Sequence, residues 1–75
     1  MISPFAPGDI LRIKEGIVYA YDENMNEHHS FDSFTVLSSA ATQDEKGTWH
    51  WHVYVLSSSN EFGTLDALYL TKVFP

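Results

Sequence analysis

The sequence predicts an all-β domain of five short strands, with a long acidic second loop and a short helical turn before the last strand. Three observations carry that expectation. Short runs rich in Val, Ile, Thr, Tyr and Trp recur along the chain, separated by clusters of Gly, Ser, Asp and Asn. No stretch sustains a helical repeat beyond about ten residues. Aromatic residues make up 15% of the chain, enough large rings to build most of a small core.

The elements follow in order. After Pro4 and Pro7-Gly8, the segment Asp9 to Lys14 alternates as a strand, with Leu11 and Ile13 facing in and Arg12 and Lys14 out. Glu15-Gly16 is a turn signal, so Ile17 to Tyr21 reads as a second strand. Asp22 to Ser33 is polar and without periodicity, and reads as a long loop. Phe34 to Ser38 is the third strand. Ala40 to Gly47 holds helix formers but is too short and polar for a stable helix, and reads as a connection with a single turn. Thr48 to Leu56, bounded by Gly47 and a serine run, is the clearest strand. Gly63 then marks a turn, Leu65 to Ala67 a helical turn, and Leu68 to Val73, followed by Phe74, a closing strand. A helix capped by Thr64 is the competing reading of this last part. The expected core is Leu11, Ile13, Val18, Val36, Trp51, Val53, Leu68 and Leu70.

Composition narrows the function. The 75 residues form one domain (1–75) with 44% hydrophobic residues, no cysteine and a formal charge of −6. Disulfides and thiolate metal sites are thereby excluded. The charge is lopsided. From Glu15 to Glu45 there are seven acids (Glu15, Asp22, Glu23, Glu27, Asp32, Asp44, Glu45) and no Lys or Arg. Such a field repels nucleic-acid phosphates and steers basic protein surfaces toward the chain. No leader segment stands at Met1 to Phe5 and no apolar run is long enough to span a bilayer, so the expected location is cytoplasmic, without membrane contact.

Three constellations are candidates for a site. Asp22, Glu23, Glu27 and Asp32 in the acidic loop are candidate contacts for a basic partner. Tyr19, Tyr21 and Trp49 are candidate aromatic anchors beside it, although ordinary strand packing also accounts for them. In Trp49-His50-Trp51-His52 the two histidines share one strand face. With His28-His29 they are weak candidates for a metal site, against the plain reading of a half-exposed strand surface. No EF-hand order, Gly-x-Ser-x-Gly elbow or phosphate loop is present, so neither a cofactor nor an enzyme is expected.

Pro7-Gly8-Asp9-Ile10-Leu11-Arg12-Ile13, the aromatic strand Trp49 to Tyr54, and Gly63-Thr64-Leu65 followed by Leu68-Tyr69-Leu70 together resemble the Src-homology-type small β-barrel, over nearly the whole chain. The resemblance implies a five-stranded barrel only; proline-rich ligand binding does not carry over, because the Pro-Ser-Asn-Tyr signature of peptide-binding members is missing. A small acidic chain of this kind also looks similar to accessory regulators or inhibitors encoded by viruses of bacteria. The expected function is a non-enzymatic module that binds and modulates a larger protein through its basic surface. The alternatives are a structural or assembly subunit of a homo-oligomer or virion, and a His-based metal-binding protein.

Overall fold

A computed structural model describes residues 2–73. Seven strands and one 3-10 turn follow each other along the chain: β1 (Ile10–Ile13), β2 (Tyr19–Tyr21), β3 (Glu27–His29), β4 (Ser33–Gln43), β5 (Trp49–Ser57), β6 (Phe62–Asp66), the 3-10 turn Ala67–Tyr69, and β7 (Leu70–Lys72). The domain is all-β, as expected. It is not a closed five-stranded barrel, however. Five strands form an antiparallel sheet in the order β6-β5-β4-β1-β7, while β2 and β3 form a separate hairpin. Val73, the last described residue, donates its N–H to Ile10; Met1 and the expected strand residue Phe74 lie outside the described residues.

The hairpin lies over the inner face of the large sheet. Its inward pair, Ala20 opposite His28, is buried with Leu11, Ile13, Phe34, Val36, Val53, Val55, Leu65 and Leu70. Two expected core residues are instead at the surface. Val18 and Leu68 expose 68% and 62% of their area, because Val18 precedes the hairpin and Leu68 sits in the middle of the 3-10 turn. Trp51 is only half-buried. The polar segment Asp22 to Ser33, expected to be a loop, supplies β3, and Gly63, expected at a turn, lies within β6.

The helical turn expected over Ala40 to Gly47 is absent. Strand β4 runs on to Gln43 and pairs with β5 down to Trp49. A bulge at Leu37 makes this possible: the register shifts between Val36 and Ser38, so that Phe34 and Val36 face inward before it and Ser39 and Ala41 after it. Opposite Ser39 and Ala41 stand Val53 and Trp51. Small residues on β4 thus leave the tryptophan end of β5 thinly covered.

One turn design closes three hairpins. In Asp22–Asn26, Asp44–Thr48 and Ser57–Glu61 the first residue donates its N–H to the fifth carbonyl and accepts the fourth N–H. Its side-chain oxygen also accepts the N–H groups of the third and fifth residues, at 2.9 Å in both aspartate turns and 3.2 Å in the serine turn. The fourth residue is left-handed in each: Met25 at φ 64°, Gly47 at 83° and Asn60 at 63°. Asp, Ser, Asn and Gly are the residues that favour these positions. Methionine is not, and Met25 is exposed.

Two predictions follow from this geometry. Placing a side chain in the left-handed region costs roughly 1–2 kcal/mol, part of which glycine returns as lost entropy, so Met25→Gly should raise unfolding free energy by up to about 1 kcal/mol. At Gly63 an added Cβ would meet Asp22 Oδ2 at 2.6 Å. Gly63→Ala should therefore lower stability by about 1–3 kcal/mol, and should move the ring signals of His28, Asp22's partner. Denaturant melts and histidine NMR spectra check both; a Gly63→Ala protein with unchanged stability would refute the close packing.

Candidate functional site

The acidic segment divides into buried and exposed halves. Asp22 is buried, and its Oδ2 lies 2.9 Å from His28 Nε2, itself fully buried edge-on to Phe34. Burial works against the Asp22 charge, but hydrogen bonds from His28 and from the N–H groups of Asn26 and Asn24 outweigh it and hold its pKa below the ordinary value. Asp32 is also buried. It accepts the His29 N–H at 3.2 Å and the hydroxyls of Ser58 and Ser59 at 3.4 and 3.3 Å, tying the hairpin to the β5–β6 turn. Both carboxylates are satisfied internally. A buried, internally bonded carboxylate would lose these contacts in reaching outward to a partner.

Glu23 and Glu27 remain at the surface. Glu23 accepts the N–H of Thr64, which fastens the hairpin tip to β6. Glu27 pairs with His29 at 3.0 Å and accepts the Tyr21 hydroxyl at 3.3 Å. Partial desolvation, then Tyr19 and Glu27, hold the Tyr21 phenol above its ordinary pKa. Tyr19 packs edge-to-face on Tyr21, with ring centres 5.5 Å apart.

Two clefts meet at Asp66. The first, about 210 Å³, lies between the hairpin and β6 and is lined by Tyr21, Glu23, His52, Thr64, Asp66 and Tyr69. The second, about 290 Å³, opens at the thinly covered end of β5, where Trp49 and Trp51 face Phe5, Leu68 and Leu70 beside Asp66. Trp49 exposes 52% of its area. Of the residues singled out from sequence, Tyr21 and Glu23 thus line the first cleft and Trp49 the second, with Asp66 common to both. Asp66, Leu68 and Tyr69 were missed as site residues; the 3-10 turn between β6 and β7 is what delivers them, and the Asp66 cap before Leu68 was the available signal.

His50 spans the same region. Its Nε2 lies 2.9 Å from Asp44 Oδ2 and its Nδ1 lies 3.5 Å from Asp66 Oδ2, so it links the β4–β5 turn to the 3-10 turn. Its hydrogen bond to Asp44, opposed by desolvation and helped by the charges of Asp44 and Asp66, raises its pKa. The same bond, with the N–H of Thr48, lowers that of Asp44. The four histidines do not converge: His28 pairs with Asp22, His29 with Glu27 and His50 with Asp44 and Asp66, and among the described residues no three His, Asp or Glu groups form a metal-holding cluster. Among the same residues no helix is long and apolar enough to cross a membrane.

No family model, curated protein or solved structure matches this chain.

The His50 bridge gives a pH prediction. A raised folded pKa means that the bridge contributes fully below the ordinary histidine value of about 6.5 and is lost as pH rises through the higher folded value. NMR titration should place His50 above that ordinary value, and Asp44→Asn should bring it down toward it. Coincident curves for the two proteins would dissolve the bridge.

Proposed function

We propose that the protein is a non-enzymatic docking module that binds and modulates a larger protein through a basic surface. The observation that carries this reading is the pair of clefts joined at Asp66. One offers tyrosine rings beside the carboxylates of Glu23 and Asp66, a setting for a Lys or Arg side chain, through both charge and the ring faces. The other offers tryptophan and leucine surface for an apolar neighbour of that cation. The two together suit a partner segment that places a basic residue beside an apolar one. Nucleic acid is a poor occupant, because the carboxylates would face phosphates.

The finer fold reading belongs to the same proposal. A Src-homology-type arrangement, open rather than closed into a barrel, accords with the long excursion between β1 and β4, the flanking of β1 by β4 and β7, and the 3-10 turn before the last strand. In that reading the excursion and the 3-10 turn frame the docking face.

One observation favours the assembly-subunit alternative. Ile10, Thr35, Leu56 and Phe62 stand directly opposite one another across four strands, on the outer face of the large sheet, and Phe62 stacks on Tyr54 with ring centres 6.0 Å apart. An uncharged row of this kind, exposed at Ile10 and Phe62 and half-buried between them, is a surface on which copies could pack. Mass measurement in solution separates the readings: a monomer at micromolar concentration removes the assembly reading.

For the docking reading, affinity capture from native lysate should yield a protein released by raised salt, since exposed charges are screened beyond about 8 Å at physiological ionic strength. Changing Glu23, Glu27 and Glu45 to Gln should slow association with that protein, and Trp49→Ala should mainly speed its dissociation. Capture indifferent to salt and to Trp49→Ala would sink the proposal.

A further inference from the structure

A further cleft lies away from the tyrosine cleft, shares Lys14 with the tryptophan cleft, and carries more basic than acidic side chains. It measures about 510 Å³ and forms where the chain leaves β1, lined by Arg12 and Lys14 together with the hydroxyl residues Ser30 and Thr71, the last of which stands opposite Arg12 on β7. The chain has only four Lys and Arg residues, and two of them line this cleft. Among the described residues neither Arg12 nor Lys14 forms an ion pair, whereas Lys72 is held 3.5 Å from Asp9. The floor is apolar: Ile13 and Ile17 are buried or half-buried, and Val18, the surface residue expected in the core, forms part of the wall.

We infer that this cleft is a recognition site for an aliphatic monocarboxylate. Three features select that class. The guanidinium of Arg12 offers a planar fork that matches a carboxylate with two parallel hydrogen bonds, and the Lys14 ammonium adds a second donor group. The hydroxyls of Ser30 and Thr71 provide neutral donors for further oxygen contacts. Ile13, Ile17 and Val18 present hydrocarbon to the body of the ligand, and so explain the exposure of a valine that strand periodicity would bury. Glu15, which also lines the cleft, sets the charge of the ligand. Two cations against one carboxylate leave room for a single negative charge, and the chain's formal charge of −6 disfavours anything more highly charged. A phosphate dianion or a polyanion is thereby disfavoured. The same chemistry comes from two sources: a free aliphatic acid, or the C-terminal carboxylate of a peptide ending in an aliphatic residue. Lys14 also borders the tryptophan cleft, so Arg12 is the residue on which the test turns.

The test is NMR titration of the intact protein with five probes: hexanoate, hexanamide, inorganic phosphate, and the peptide Gly-Ala-Val-Ile with a free and with an amidated C-terminus. Hexanoate should move the amide signals of Arg12, Gly16, Val18, Ser30 and Thr71, with a Kd on the order of 1 mM, reasonable for so small a ligand in an open cleft. Hexanamide should move them little. Arg12→Gln should weaken hexanoate binding about tenfold or more, and Arg12→Lys, which keeps the charge but loses the fork, by a smaller factor. Arg12 is exposed, so both variants should melt as the parent does. Tighter binding of the free peptide than of hexanoate, lost on amidation, would identify a peptide C-terminus as the source; equal or tighter binding of hexanoate would identify a free acid. Equal shifts with hexanamide, unchanged binding in Arg12→Gln, or phosphate binding tighter than hexanoate would each overturn the inference.

Discussion

The buried pair of Asp22 and His28 is the constraint on which the rest of the arrangement depends. One carboxylate performs three tasks. Its Oδ1 closes the β2–β3 turn by accepting two backbone N–H groups. Its Oδ2 holds His28, which fills the core against Phe34. Its side chain also lies so close to Gly63 that no larger residue fits there without displacement. The adjacent Glu23 then grips the backbone of Thr64. Together these contacts dock the hairpin on β6, and docking brings Tyr21 and Tyr69 to one cleft. Removing His28 would leave a buried carboxylate short of a donor, a loss of about 1–3 kcal/mol or more, comparable with the net stability that a single small core provides. An apolar substitute could match the pair in stability, but it could not fix both the turn and the distance to β6.

The acidic stretch therefore combines two populations of carboxylate. The aspartates serve the backbone: Asp22 and Asp44 close turns, and Asp32 joins the hairpin to the serine turn. Outside the stretch Asp9 accepts the Ala6 N–H and Asp66 caps the 3-10 turn. The short side chain of aspartate reaches N–H groups two to four residues away, a distance suited to turns. The glutamates, longer and more exposed, supply most of the surface charge available to a partner. Without this division the lopsided charge would look like a continuous acidic patch, whereas much of it is turn chemistry.

Strands β1 and β5 were legible because their apolar residues alternate and turn residues bound them. The hairpin was not, and the reason is physical. Its inward residues are Ala20 and His28, one small and one polar, so the period of two is hidden until His28 is known to have a buried partner six positions earlier. The extension of β4 was misread for a related reason. Ala40, Ala41 and Gln43 favour helix locally, but pairing with β5 and the closed turn at Asp44 override that weak preference. Among the site residues, aromatic character pointed to Tyr21 and Trp49. Leu68 looked like a core residue, and only the 3-10 turn reveals it as surface.

The three matched turns also bear on how the chain finds its fold. Each closes a hairpin between neighbouring segments, so β2–β3, β4–β5 and β5–β6 can zip from short loops at little entropic cost. Strand β1 has no such partner. It must meet β4 across the whole β2–β3 excursion and β7 across nearly the entire chain, where Arg12 stands opposite Thr71. Rates fall as contacts become more distant in sequence, which makes insertion of β1 between β4 and β7 the slow step of assembly. A chain with its hairpins formed and β1 not yet placed would leave apolar faces uncovered, and the negative charge between Glu15 and Glu45 would hold such chains apart.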